Sequence, residues 1–323
     1  MKAVTFDSFG SPDVLRITDL PDPVPGPGEV VVAVCAATIN PTDLMMLGGQ
    51  QARLMTHLSP PFIAGMEFSG HVLRAGPRVA LVPGQAVIGV VNPRRPQGGA
   101  QAQRICVPAV SVAPVAASGD LAAAATVPMN ALTGMLALEF LALPPGSSLL
   151  VTGGAGQLGN LVIQLAQEAG LKVLANAAEQ DRALLLELGA VTVLPRDAGL
   201  EPALRQICPQ GVDGLVDGAL IGAQVSHLVR DGGRAVSLRS SHPIADARLT
   251  SGYVSVVAAM EDQARIARIA DLLQGGVLSP RVAPQGVFPF TQAAEAFRMA
   301  AQGGFRGRVI LTFDNDQEGR NHG

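Results

Sequence analysis

The chain has 323 residues, 48% of them hydrophobic but only 15% charged and 3% aromatic, so its core is aliphatic. At about 150 residues per domain it has the length for two, and a charged fraction below the usual ~25% excludes a disordered, solvating polymer. Lys+Arg 23 against Asp+Glu 26 gives a formal charge of −3 with no basic block, which excludes the phosphate-neutralising face that a nucleic-acid partner requires.

The N-terminal Met1-Lys-Ala-Val-Thr-Phe-Asp7 has no apolar core of the kind that directs export, and Ala131 to Leu143 is too short to span a bilayer. Cys35, Cys106 and Cys208 are odd in number and form no CxxC pair, which argues against a disulfide framework or a thiolate zinc site. A soluble cytoplasmic protein without a membrane partner is expected.

The first 120 or so residues read as short strands between turns. Glu29 to Ala36 follows the turn-rich Pro21 to Gly28, and further apolar runs lie at Gly70 to Leu73, Ala86 to Val91 and Arg104 to Val107. This texture predicts a β-barrel or sandwich. Two helix-like stretches follow Leu121, and after Pro144-Pro145-Gly146 strands alternate with helices. Strands are expected at Leu149 to Val151, Leu171 to Ala175, Val191 to Leu194, Leu215-Val216, Ala235 to Leu238 and Tyr253 to Val257. Between the first two, Leu158, Leu161, Val162, Leu165, Ala166 and Ala169 recur on one helical face. Such alternation predicts a doubly wound parallel sheet. Helices at Glu261 to Gln274 and Gln292 to Gln302, and strands near Val287 and Val309, close the pattern; the polar tail Asn315 to Gly323 reads as frayed.

Chemistry is concentrated in Val151-Thr-Gly-Gly-Ala-Gly-Gln-Leu-Gly159, where Gly154, Gly156 and Gly159 form GxGxxG between a buried strand and an amphipathic helix. Such a turn brings backbone close to a pyrophosphate, lets helix pack on strand and presents the helix N-terminus, here Gln157 and Leu158, to the phosphates. A dinucleotide is the expected ligand. Where an acid favouring NAD(H) would stand at the end of the second strand, the chain has Asn176-Ala-Ala. NADP(H) is therefore expected over NAD(H), with Asn176 at the adenosine ribose and Arg182 as a candidate partner for the 2′-phosphate, although Glu179 and Asp181 flank it.

Together with Pro25-Gly-Pro-Gly-Glu-Val30, Ile39-Asn-Pro-Thr-Asp43, Pro61 to Gly70, Val82-Pro-Gly84, Asn130 to Gly146 and Gly307 to Leu311, these residues resemble the medium-chain dehydrogenase/reductase superfamily. Within it the likeness is to the zinc-independent quinone oxidoreductase and enoyl reductase branch. The resemblance implies an α/β protein: a GroES-like β-barrel catalytic domain of residues 1–124 and 277–323, and an inserted Rossmann domain of residues 125–276 with the helix from Glu261 as a bridge. It also implies a homodimer, and an active site in the cleft between the domains.

Zinc-dependent members place ligands where this chain has Asn40, Met66 and a residue near Met129, so the resemblance implies no metal. The reaction then expected is NADPH-dependent hydride transfer to a quinone or α,β-unsaturated carbonyl compound. Asn40 and Thr42 are the expected catalytic donors; Asn130 and Thr133 match positions near the nicotinamide. The tyrosine that many relatives carry soon after the Asn-Pro-x-Asp motif is replaced by Leu47-Gly-Gly-Gln-Gln-Ala52. Enoyl-thioester reduction, and a catalytically silent NADP(H)-binding sensor or structural protein, stand as alternatives.

Overall fold

The valine-rich run Val30 to Val34 is buried on both faces, and the long strand it forms organises the first part of the molecule. The computed structural model describes residues 1–239 and 241–313; the tail from Asn315 lies outside the described residues. The chain divides into two units, the first comprising Met1–Met129, Ala259–Gly276 and the chain from Pro280 onward, the second Asn130–Ala258 with Val277–Ser279.

In the first unit β1 (Lys2–Thr5) and β2 (Arg16–Asp19) pair as an antiparallel ribbon. Strand β3 (Glu29–Ile39) leads into the short helix α1 (Pro41–Leu47), followed by β4 (Glu67–Ala75), β5 (Ala86–Val90), β6 (Arg104–Pro108), β7 (Val112–Pro114) and α2 (Leu121–Ala124). Eleven residues long, β3 pairs antiparallel with both β4 and β6. Valines and alanines supply most of its buried positions, as expected of a strand covered on both faces.

Helix α3 (Pro128–Leu141) contains the division between the units. In the second unit β8 (Ser148–Thr152), α4 (Gln157–Glu168), β9 (Lys172–Asn176), α5 (Arg182–Glu187), β10 (Thr192–Leu194), α6 (Leu200–Ile207), β11 (Val212–Asp217), α7 (Gly222–Val225), β12 (Val229–Ser237) and β13 (Thr250–Tyr253) alternate. The six strands are parallel in the order β10-β9-β8-β11-β12-β13. That order reverses direction at β8, the topology of a dinucleotide-binding Rossmann sheet. Leu149, Leu150 and Val151 at its centre are wholly buried, each contributing about 1.5–3 kcal/mol by burial.

The last strand of this sheet starts earlier than the apolar run Tyr253 to Val257 suggests. Its partner β12 ends at Ser237, which pairs with Tyr253, so the chain beyond has no strand to follow.

Residues 259–276, expected with the Rossmann domain, belong instead to the first unit. Helix α8 (Gln263–Gln274) buries Ile266, Ile269, Ala270 and Leu272 and packs against β7, which accounts for the difference. Strand β14 (Val282–Pro289), α9 (Ala293–Gln302) and β15 (Arg308–Thr312) follow, and β15 pairs antiparallel with β3. The first unit's main sheet thus has the GroES-like arrangement, with seven strands among the described residues.

Leu121–Leu141, 21 residues of mean hydropathy 1.5, is long and apolar enough to cross a membrane by length and composition, unlike the shorter segment read from the sequence. It is 61% buried inside the protein and interrupted between α2 and α3, features of core helices.

Candidate active site

The turn after β8 is built mainly from what its glycines lack. Gly153, one residue before the GxGxxG motif, holds the left-handed conformation at φ +66, a backbone that favours glycine. A Cβ on Gly159 would collide with the Gly153 carbonyl oxygen and stand 2.8 Å from the Gly154 Cα, so helix and turn meet only because it is absent. Gly154 faces Ala175 and Ile163, where a Cβ would stand 3.1 and 3.3 Å from their side chains.

Gly156 differs: its φ is −73, and an added Cβ would meet only the Gly153 oxygen, at 3.3 Å. Its bareness answers no strong demand of the protein itself and leaves room for a ligand. It caps α4, whose first turn at Gln157, Leu158 and Gly159 presents N–H groups that a helix leaves without internal carbonyl partners. These features fit a dinucleotide pyrophosphate.

Beside this turn lies Asp217, which sequence reasoning missed. Its carboxylate accepts from Thr152 Oγ1 at 2.6 Å, the Ile221 N–H at 3.1 Å and the Gly222 N–H at 2.7 Å, pinning the loop after β11 to the end of β8. An Asp at a strand end carries no motif, so only its place opposite Thr152 reveals it.

Asn176 ends β9, buried, with its amide nitrogen donating to the Pro195 carbonyl at 2.6 Å. Arg182 is exposed and its Nε donates to Glu179 Oε1 at 2.7 Å; the hydrogen bond and charge of that pair hold the Glu179 carboxyl below its usual range. Arg196 stands two residues beyond Leu194, the partner of Asn176 in the sheet, and is exposed without a side-chain partner among the described residues. Its place after β10, outside the segment that follows β9, is why no local motif points to it. Asn130, buried, and Thr133, half-buried, lie three apart on one face of α3.

In the first unit the motif residues gather around two buried carboxylates. Asn40 caps α1 with Pro41 at its first position, where a missing N–H costs nothing. Asp43 reaches back to accept from the Asn40 N–H at 2.7 Å and from the Gly65 N–H at 2.8 Å. Glu67 Oε1 accepts from Thr38 Oγ1 at 2.8 Å and Asn40 Nδ2 at 2.9 Å, while its Oε2 accepts from the Met129 N–H at 2.7 Å. Burial pushes the Asp43 carboxyl up to about 7 and raises Glu67 as well, against the pull of the buried Arg308.

Asn40 is one of the two donors expected from the sequence. Its Nδ2 instead donates inward to Glu67 and to Thr38 Oγ1, the latter at 2.8 Å, which spends both amide hydrogens. Thr42 Oγ1 donates to Met66 Sδ at 2.9 Å, a weak acceptor.

Asn40, Met66 and Met129 present an amide and two thioethers, which are poor ligands for zinc, and Glu67 beside Met66 is engaged by three donors. Among the described residues no group of three His, Cys, Asp or Glu side chains is arranged to hold a metal ion.

Two families match the chain: "Alcohol dehydrogenase GroES-like domain" over residues 26–133 and "Zinc-binding dehydrogenase" over residues 188–311. The 2-methylene-furan-3-one reductase of Solanum lycopersicum is 28% identical, across 96% of this chain and 79% of its own length. The chloroplastic NADPH-dependent alkenal/one oxidoreductase of Arabidopsis thaliana is also 28% identical, with the same coverage. Among solved structures, the quinone oxidoreductase from Coxiella burnetii superposes with a TM-score of 0.84 at 25% identity, covering 97% of this chain and 99% of that one.

Proposed function

Since this chain belongs to the medium-chain dehydrogenase/reductase superfamily, we propose that it is an oxidoreductase that reduces quinones or α,β-unsaturated carbonyl compounds with NADPH and without a metal. The observation that carries this reading is the set Asn40, Met66 and Met129, which supplies no zinc ligand where a Lewis acid would otherwise polarise a carbonyl. Relatives that act on a methylene-furanone and on alkenals or alkenones, and a quinone oxidoreductase among the structural neighbours, support the substrate class.

A bound nicotinamide supplies the hydride. In this reading Gly156 and the first turn of α4 hold the pyrophosphate, with Gly154 and Gly159 giving the turn its shape. The strand end Asn176-Ala-Ala admits a 2′-phosphate because it sets no carboxylate against it. Arg196 is its partner in preference to Arg182, whose guanidinium already meets Glu179. Asn130 and Thr133 are assigned to the nicotinamide end.

Within the first unit Asn40 acts as a positioning residue that fixes the start of α1, and the Thr42 hydroxyl is the donor free to turn to a substrate oxygen. The only tyrosine of the chain, Tyr253, is on β13 of the second unit, 58% exposed. With no tyrosine in the first unit, water is the proton source of this reading.

Purified protein is expected to oxidise NADPH in the presence of a panel of quinones and enones. Protein that binds NADPH, seen as a rise in melting temperature, yet oxidises it with none of them would overturn the reading.

A further inference from the structure

The loop after β5 carries adjacent arginines in different surroundings. Arg95 donates through Nε to the Gly98 carbonyl at 2.9 Å and feels the charges of Glu29 and Glu261. Arg94 is half-buried, and among the described residues no carboxylate pairs with it. Its backbone N–H donates to Asn92 Oδ1 at 3.1 Å, fixing the loop, and its side chain donates once, from Nη1 to Gln51 Oε1 at 3.1 Å.

Gln51 is itself nearly buried and held in place, since its Nε2 donates to the Thr42 carbonyl at 3.1 Å, while Thr42 Oγ1 donates to Met66. One continuous chain of hydrogen bonds thus ties Arg94 to the residue assigned above as substrate donor. A guanidinium has five N–H donors in a planar fork and stays protonated in proteins. Here one donor is committed. Burial lowers the pKa of Arg94 with no anion to offset it, a cost that a ligand oxygen would relieve.

We propose that Arg94, oriented by Gln51, binds the carbonyl oxygen of the substrate and stabilises the negative charge that forms there. For an enone, hydride adds to the β-carbon, the C=C electron pair moves to become an enolate, and its oxygen faces the guanidinium. Water then protonates the α-carbon and NADP+ leaves as the oxidised product. For a quinone, hydride adds to one carbonyl oxygen, the π electron pairs shift through the ring, and the other carbonyl oxygen takes the negative charge, faces the guanidinium and is protonated by water. Arg94 supplies charge and hydrogen bonds but no proton.

This assignment rests on the reductase reading, and two measurements keep their failures apart. In steady-state assays with NADPH, Arg94→Gln is expected to lower kcat/KM for quinone and enone about 100-fold, as loss of an oxyanion donor does, while the KM for NADPH stays within about twofold. Arg94→Lys, which keeps the charge and loses the fork, is expected to recover part of the activity. Arg94→Gln with wild-type kcat/KM would overturn the assignment.

If the wild-type protein reduces no quinone or enone, the reductase reading fails, and 4-nitrophenol then tests Arg94 directly. Its absorbance reports ionisation, and binding beside Arg94 is expected to lower its apparent pKa with wild-type protein, less with Arg94→Lys and not at all with Arg94→Gln. No binding by wild type, or equal shifts in wild type and Arg94→Gln, would contradict the proposal.

Discussion

The turn after β8 and the start of α1 reach a functional geometry by opposite means. In the second unit the site is mostly backbone: Gly153 takes the left-handed turn, Gly159 lets helix meet strand, and Gly156 leaves space. In the first unit it is side chain upon side chain, with Thr38 and Asn40 from the end of β3, Glu67 from β4 and the Met129 N–H from α3 meeting on one carboxylate. A site made of absences tolerates no addition. A site made of hydrogen bonds tolerates no removal.

Substitutions can test that contrast directly. Glu67→Ala would strand three buried donors and leave Arg308 without one of its two acidic neighbours, so a loss of about 3–5 kcal/mol in denaturant unfolding is expected. Gly159→Ala is expected to cost about 2–3 kcal/mol through collision with the backbone of Gly153. By contrast Gly156→Ala, at an ordinary φ, should stay within about 1 kcal/mol of wild-type stability and lose NADPH affinity instead, by about tenfold or more in calorimetric titration. Equal stability losses for the two glycine variants would erase the distinction drawn between fold glycine and ligand glycine.

The buried carboxylates predict a pH dependence confined to the first unit's side-chain site. Asp43 titrates near 7 in the folded protein, above its ordinary value of 3.8, so the folded state keeps a proton that the unfolded chain has lost. Its contribution to stability is therefore full at acid pH, below the unfolded value, and is lost as pH rises through about 7. The fall amounts to about 2 kcal/mol between roughly pH 5 and 7. Asp43→Asn should flatten this slope, and an unchanged slope would show that another group is responsible.

The smallest effect lies at the end of β9. Arg196→Ala is expected to weaken NADPH binding by about tenfold and to leave NADH unchanged, while Arg182→Ala changes either by less than about twofold. The reverse ranking would return the 2′-phosphate to Arg182.

The same contrast explains what was legible in the sequence. A run such as Val151 to Gly159 carries its whole geometry within nine residues, so strand, turn and helix follow from local order, and the parallel alternation around it does too. Asn40 was legible as a motif residue of Ile39-Asn-Pro-Thr-Asp43, but its partner Glu67 lies 27 residues away, and sequence spacing could not show that the amide hydrogens turn inward. Arg94 and Gln51 are separated by 43 residues and belong to no motif. The misplacement of α8 has the same origin, since its amphipathic pattern states that one face is buried and is silent on what covers it.

Metal-free reduction is tested most directly by following NADPH oxidation with an active quinone or enone before and after exhaustive chelation, with the metal content of the protein measured alongside. Unchanged kcat/KM in protein with less than about 0.1 metal ion per chain is the expected result, because Asn40, Met66 and Met129 offer no site for zinc. Activity lost on chelation and restored by stoichiometric zinc would contradict it.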